Sequence, residues 1–479
     1  MTDPRTTAER LVRRFARETN LLVAGRAFAV EGTDAVAEEL RRLLPALGAR
    51  LGTRGVSFAP GAETEILIDG AAPPARTDAA HRVDNAGAHM PVSTLIAARL
   101  REQGIVRGIR IGIAMVLEPK TAQLALLLRD AGADVAVYAH PDEIDVAVAE
   151  VLRDRGIPVD GDPALGGAEE RAAAVAFLRR GFDLLLDDGS HLIRLAHEEG
   201  IALRGAAEET TSGLAPLRLM QQQGLLGIPV IAVNDARLKT SFDNRYGTGQ
   251  SCVFAIADVL DAAGIGLRDQ PAVVIGYGPV GEGVAAHLRA FGVDIAVAET
   301  DPVRALRAAH DGFAIGRLAD VAQGALVISA TGAAHTVDTA TLGAARIVAV
   351  AGGVPGEVDV DISQLRPEGV HLDRVGDGAL LIAQGGCVNL AAAEGNPIEI
   401  MDLSFAVQLG AVEQLLAGAL PAGVHPFPEE ADQAIARAAL DARGDTIDSR
   451  SPEQQQAESE WRSRRYLASS AFVAEEGSA

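Results

Sequence analysis

Val273-Val274-Ile275 runs directly into Gly276-Tyr277-Gly278-Pro279-Val280-Gly281, and helix-forming residues follow through Ala290. A short β-branched run reads as a buried strand, and the three glycines then have separate tasks. Gly276 permits the tight turn, Gly278 lets a pyrophosphate approach the backbone, and Gly281 lets the helix pack against the strand. Val280 sits in the first turn of that helix, whose free N–H groups and positive dipole end suit phosphate. A second strand, Asp294 to Ala298, ends at Glu299. A carboxylate there accepts hydrogen bonds from both hydroxyls of an adenosine ribose and repels a 2′-phosphate, so the expected cofactor is NAD; Arg304 is the one nearby residue that speaks for a phosphate.

Outward from this unit the alternation continues through Leu326 to Ser329 and Ile347 to Val350. An earlier series precedes it. Its strands are predicted at Gly108 to Val116, Ala133 to Tyr138, Phe182 to Leu186 and Val230 to Val233, with helices from Met90-Pro91 to about Gln103 and from Thr121 to Ala131. Two such series mean an α/β chain with two doubly wound parallel sheets. Residues 1 to about 80 are hard to read. Thr33 to Leu47 has helical periodicity, Glu65 to Ile68 suits a strand, and Gly70 to Asn85, with Pro73-Pro74, reads as a linker. A long helix, Leu403 to Leu416, precedes a Pro-rich turn and an acidic tail.

The composition agrees. Hydrophobic residues make up 48% and aromatics only 4%, which favours helices packed closely on a parallel sheet. A formal charge of −22 argues against nucleic acid or an anionic membrane as partner. The two cysteines, Cys252 and Cys387, fit a reducing cytoplasm, and neither lies in a metal-ligand spacing, so no metal is expected. The polar start does not read as a secretory signal, and a cytoplasmic location is expected.

Further motifs are Asp187-Asp188-Gly189, Glu208-Glu209-Thr210-Thr211-Ser212-Gly213, Asn234-Asp235, Lys239-Thr240-Ser241-Phe242-Asp243-Asn244-Arg245-Tyr246-Gly247 and Asn389-Leu390-Ala391. With the glycine-rich turn they resemble, in order and over residues 88 to 450, the S-adenosylhomocysteine hydrolase family. Glu118-Pro119-Lys120-Thr121-Ala122, Tyr246-Gly247-Thr248-Gly249-Gln250-Ser251 and Glu399-Ile400-Met401-Asp402-Leu403-Ser404-Phe405 resemble its shorter archaeal and thermophilic bacterial branch. The resemblance implies transient oxidation of a ribose 3′-hydroxyl by tightly held NAD. The 4′ C–H becomes acidic beside the ketone, and the 5′ substituent leaves.

On this resemblance Lys239 and Asp243 match the pair at the 3′-hydroxyl, with a lysine of lowered pKa as proton acceptor. Glu209 matches a carboxylate that grips the ribose hydroxyls, and Asp188 one near the 4′ and 5′ carbons. Thr210, Thr211, Ser212, Asn244 and Asn389 match positions holding the nicotinamide end, and Thr331 joins the cofactor set. Glu118, Lys120 and Asn396 are assigned to substrate.

The pattern also departs from the family. Val116, Gly353 and Asn396 stand where the family has histidines around the 5′ carbon and the adenine. His191 and His335 stand where it usually has aspartate, and either is a candidate for the displaced proton transfer. Losing acid–base groups typically costs about 10²- to 10⁴-fold each.

Three functions follow as expectations. The first is an NAD-dependent lyase or dehydratase that expels a 5′ substituent from an adenine nucleoside, at home in nucleoside-antibiotic biosynthesis. The second is S-adenosylhomocysteine hydrolysis to adenosine and homocysteine. The third is a non-catalytic nucleoside sensor. The expected organisation is an N-terminal extension (1–85, an arm or lid), a substrate domain in two parts (86–240 and 397–445, the latter with hinge helices), an NAD domain (245–395) and a tail (446–479). Homodimers or homotetramers are expected, with the tail, including Trp461 to Leu467, reaching a neighbouring subunit.

Overall fold

The computed structural model describes residues 3–59, 65–73, 76–354 and 356–462. The glycine-rich stretch forms the centre of an eight-stranded sheet. The strand Ala272–Ile275 lies between Ile295–Ala298 and Leu326–Ser329, with Ala314–Ile315, Ile347–Val350 and Leu380–Ile382 continuing the parallel array on either side. Two antiparallel strands, Leu372–Val375 and Leu365–Gly369, close one edge.

A seven-stranded parallel sheet forms the second layered unit, ordered Gly423–Pro426, Pro229–Ala232, Gly205–Glu208, Leu184–Asp187, Arg110–Ala114, Asp134–Tyr138, Val159–Asp160. Gly423–Pro426 returns from the far side of the NAD-type sheet to pair with Pro229–Ala232, so this sheet is discontinuous in sequence. The Pro-rich turn expected here is therefore an edge strand. Pro426 has no N–H to donate, which an edge position tolerates.

The long helix extends beyond the expected bounds, Ile398–Ala417. It is long and apolar enough to cross a membrane by length and composition, but most of it is buried inside the molecule. Its Asp402 accepts hydrogen bonds from the backbone N–H of Val92 (3.0 Å) and Ser93 (2.6 Å), capping the helix Pro91–Gln103.

One expectation for the N-terminal region fails. The supposed linker contains the helix Ala79–Ala88, capped by Asp78, with Ala79, Val83 and Ala86 buried at helical spacing. The preceding residues are not a free arm. They build a four-stranded sheet around Ala27–Val30, with Phe28 stacked on Phe58 at 5.7 Å. The helix Pro4–Thr19 lies against Thr248–Ala262, pairing Arg13 with Asp258 and Asp261, and Arg17 with Asp258 at 2.8 Å. Of the tail, residues 463–479, including Arg464 to Leu467, lie outside the described residues, and Trp461 is exposed.

Lys120 ties three of these parts together. It is fully buried, and its ammonium donates to Asn20 Oδ1 (3.0 Å) and the Glu394 carbonyl (2.6 Å) and pairs with Glu118 Oε2 (2.7 Å). All three protons are used within the protein, so we assign it no contact with substrate, contrary to the sequence expectation. Glu118 caps the helix Pro119–Ala131 through the N–H groups of Lys120 and Thr121, which accounts for this residue structurally as well. Lys120→Met leaves the Glu118 carboxylate buried without its cation. It is expected to lower stability by about 3–5 kcal/mol, seen as a reduced guanidinium midpoint.

Candidate active site

Each sheet has one place where neighbouring strands feed connections to opposite sides, and ligands bind outside the strand carboxyl ends there. In the seven-stranded sheet this place lies between Arg110–Ala114 and Leu184–Asp187. Asp187 ends its strand and is fully buried. One oxygen accepts the Asp188 N–H (3.1 Å) and the other the Ile193 N–H (2.7 Å), and burial pushes its carboxyl up to about 8. Glu208, on the next strand, accepts from the N–H groups of Gly189 (3.0 Å), Ser190 (2.8 Å) and Thr210 (2.9 Å) and from the Thr210 hydroxyl (2.7 Å). These two buried carboxylates hold a loop in which Gly189 and Ser190 have φ of +75° and +54°. Asp188 is thereby presented at the crevice. Burial raises its pKa, while the charges of Lys239 and His140 oppose that rise.

Lys239 comes from the short helix Arg237–Thr240, and Asp243 opens a single π-turn, Asp243–Gly247, a distortion frequent at functional sites. The i,i+4 spacing puts both on one face, with Nζ 2.9 Å from Asp243 Oδ2, 2.9 Å from Asn244 Oδ1 and 3.4 Å from Asn234 Oδ1. The expected lowered lysine pKa is not found. Burial alone would lower it, but the charges of Asp243, Glu209 and Asp188 outweigh burial and raise it, so Lys239 is an ammonium. Glu209 is buried and accepts from the Ser404 hydroxyl and from Gln408 Nε2 (2.6 Å). Burial, reinforced by Asp243, pushes it up to about 7 against the pull of Lys239. Asn396 is locked: its Nδ2 donates to Asp243 Oδ1 (2.6 Å) and Thr248 Oγ1 (3.1 Å), and its Oδ1 accepts from Ser251 (2.7 Å) and Asn389 (2.9 Å).

The glycine-rich turn fits a dinucleotide. Gly276 has φ +88°, and a Cβ at Gly281 would collide with the Gly276 carbonyl oxygen. A Cβ at Gly278 would meet only the Arg304 guanidinium within 4 Å, so space is open in front of the helix Pro279–Phe291, where Val280 occupies the first turn. Glu299 lies at the end of the adjacent strand and accepts the N–H groups of Tyr277 (2.6 Å), Thr300 (2.6 Å) and Asp301 (2.9 Å). Burial opposes ionisation, but these donors prevail and hold Glu299 below the usual carboxylate range. It keeps lone pairs for a ribose diol. Thr331 bonds Glu357 and Thr336 beside the next strand end. Thr210 caps the helix Thr211–Gln222, Ser212 donates to Thr210 (3.2 Å), and Thr211 is exposed in the first turn. Asn244 and Asn389 lie within the Lys239 and Asn396 networks, and Cys387 donates to Asn389 (2.9 Å).

Neither candidate histidine fits the displaced role. His335 is 78% exposed with its Nδ1 2.5 Å from Asp359, on the outer loop of the NAD-type sheet. His191 lies over Gly189, but burial and the charges of His140 and Arg194 lower its pKa to about 4, and Arg194 contacts its Nδ1 at 3.3 Å. It is neutral near pH 7 and has no proton to spare as an acid. Motif reading quoted Asn234 and Ser404 without giving them a role, and missed Gln408, His140, Glu143 and Glu170. Ser404 and Gln408 were discoverable, since these two polar residues four apart share one face of the helix's apolar central stretch, Leu403 to Val412.

Fold and site together define an NAD-dependent enzyme of paired doubly wound sheets, with a buried ammonium–carboxylate cluster beside the cofactor cleft. Residues 244–395 match the family model "S-adenosyl-L-homocysteine hydrolase, NAD binding domain". The chain is 36% identical over 400 residues to an adenosylhomocysteinase of Archaeoglobus fulgidus, covering 80% of this chain and 98% of that protein. It is 37% identical over 407 residues to one of Nostoc sp. (80% and 94%), and 36% over 395 residues to an S-inosyl-L-homocysteine hydrolase of Methanopyrus kandleri (78% and 92%). The chain belongs to the adenosylhomocysteinase family, and its cofactor is NAD.

Glu299→Ala removes a charge-assisted acceptor worth about 1.5–3 kcal/mol, so NAD is expected to bind about 10- to 100-fold more weakly in calorimetric titration of cofactor-stripped protein.

Proposed function

We propose that this enzyme oxidises the 3′-hydroxyl of a purine nucleoside, removes the 4′ proton, expels the 5′-hydroxyl as water and then returns the borrowed hydride to C3′, so that the ketone becomes a hydroxyl again. One observation carries the reading. The ribose cluster of Lys239, Asp243, Glu209 and Asp188 is complete, while none of Val116, Gly353 and Asn396 can move a proton. Asn396, fixed on all sides, has become a strut for Asp243. Dehydration uses only the elimination half of the family reaction, so no water need be activated for addition at C5′.

When bound, NAD would supply the hydride acceptor. Thr210, Thr211, Ser212, Asn244 and Asn389 would hold its nicotinamide end, and Glu299 its adenosine ribose. The 3′-hydroxyl proton passes into the Lys239–Asp243–Glu209 cluster. Glu209, raised to about 7, is the member suited to take it at neutral pH. The Lys239 ammonium stabilises the charge that develops on the 3′ oxygen. Asp188, a carboxylate made more basic by burial, takes the 4′ proton.

The relatives' names favour a second reading, hydrolysis of a nucleoside thioether of homocysteine. A thiol reagent added to enzyme and S-adenosylhomocysteine separates the two: homocysteine release at ordinary rates overturns dehydration. For the proposed reaction, purine nucleosides are incubated in D₂O while nicotinamide absorbance and 4′ deuterium are followed. Both signals, with loss of water and no thiol, are expected.

The oxidation half-reaction carries its own pH signature. Glu209 accepts a proton only when ionised, so the rate is expected to rise as pH increases through about 7 and then level. Glu209→Gln is expected to abolish that rise and slow oxidation by about 10²- to 10⁴-fold in single-turnover absorbance.

A further inference from the structure

The loop after the strand Asp134–Tyr138 lies beside the position of one missing histidine. Leu117, the neighbour of Val116, donates its N–H to the Glu143 carbonyl (2.8 Å) and accepts from the Asp145 N–H (2.9 Å), which clips this loop to the crevice edge. His140 is on the same loop. Its Nδ1 is 3.0 Å from Glu170 Oε1, its ring meets those of Tyr138 (5.2 Å) and His191 (5.1 Å) edge to face, and His191 in turn covers Gly189, next to Asp188. Its Nε2 is buried and has no hydrogen-bond partner among the described residues. A buried ring nitrogen without a partner costs free energy, and a catalytic role is one of the reasons a fold keeps such an atom. The charge of His140 is felt at Asp188, which places the two in one electrostatic neighbourhood.

Resting on the dehydration reading, we propose that His140, oriented by Glu170, is the catalytic acid for the departing 5′ oxygen. The C4′ electron pair left by proton removal becomes the second C4′–C5′ bond. The C5′–O bond breaks with its pair staying on oxygen, and that oxygen takes the Nε2 proton and leaves as water. His140 is left neutral. It regains its proton from solvent, while the proton held by Asp188 is released, so the net loss is one water. Glu170 fixes the ring and balances the imidazolium charge before transfer, the orienting role a carboxylate plays behind a catalytic histidine. Glu143, on the same loop, is the competitor. Burial, reinforced by Asp188, pushes its carboxyl up to about 8, so it holds a proton at neutral pH.

The test uses the NAD-loaded enzyme with adenosine and with 5′-chloro-5′-deoxyadenosine, whose chloride leaves without a proton. His140→Asn is expected to keep nicotinamide reduction and 4′ deuterium uptake within about threefold of wild type. Elimination from adenosine is expected to fall by about 10²- to 10⁴-fold. Elimination of chloride is expected to stay near the wild-type rate. Glu170→Gln reproduces the pattern more weakly. The assignment is overturned if His140→Asn leaves water elimination intact, if chloride loss falls equally, if oxidation and exchange fall with elimination, or if Glu143→Gln alone shows the expected pattern. Wild-type enzyme that exchanges the 4′ proton but releases only homocysteine, from its thioether, overturns the dehydration reading instead. His140→Asn with undiminished thiol release then overturns the acid as well.

Discussion

An ammonium taken out of water costs several kcal/mol unless carboxylates and carbonyl oxygens replace its hydration. Lys239 is 4% exposed, and supplying its partners draws the molecule together. Asn234 follows the last central strand of the seven-stranded sheet. Asp243 and Asn244 open the helix that leads to the other sheet, and Asn396 arrives on the chain's return. Glu209 comes from the middle of the seven-stranded sheet, with Ser404 and Gln408 of the long helix behind it. Several separate elements place these residues. The charge is tolerable only when all have arrived, so assembly of the cluster and convergence of the two sheets are one event.

The NAD-type unit was legible because its signals are local. Strand, glycine turn and helix lie within twenty residues, and the bounds of Ala272–Ile275 were readable directly. The strand Gly205–Glu208 was missed for a physical reason. It is Gly-Ala-Ala-Glu, with no β-branched residue, because a Cβ at Gly205 would lie 2.8 Å from Leu415 and 3.3 Å from the Pro229 carbonyl. Close packing selected small residues there, against strand propensity. The helix Ala79–Ala88 was hidden by the prolines before it. The raised pKa of Lys239 was misread because burial is foreseeable from a motif, whereas three carboxylates converging from separate elements are not.

Loss of a histidine is visible along a sequence, but its replacement is not. His140 and Glu170 are thirty residues apart and meet because the helix Gly167–Leu178, which carries Glu170, packs its Phe177 on Tyr138. His191 and His335 attracted notice because they sit inside motifs. One is neutralised by neighbouring positive charge and burial, and the other faces solvent. Position within a motif specifies backbone placement, while acid–base competence depends on what surrounds the ring.

That distinction accounts for how the proposed reaction departs from the family's without disturbing its redox centre. The groups around the 3′ carbon belong to the cluster that joins the two sheets, and changing any of them strands a buried charge. The acid proposed for the 5′ end lies near the edge of one sheet, on a loop clipped by two backbone hydrogen bonds, with its Nδ1 against the partly buried Glu170 carboxylate of the helix Gly167–Leu178. Substitution there costs little folding energy. On the proposed assignment the 5′ end can therefore be altered at little cost while the surroundings of the 3′ carbon cannot, and Asn396 belongs with the latter because it donates to Asp243.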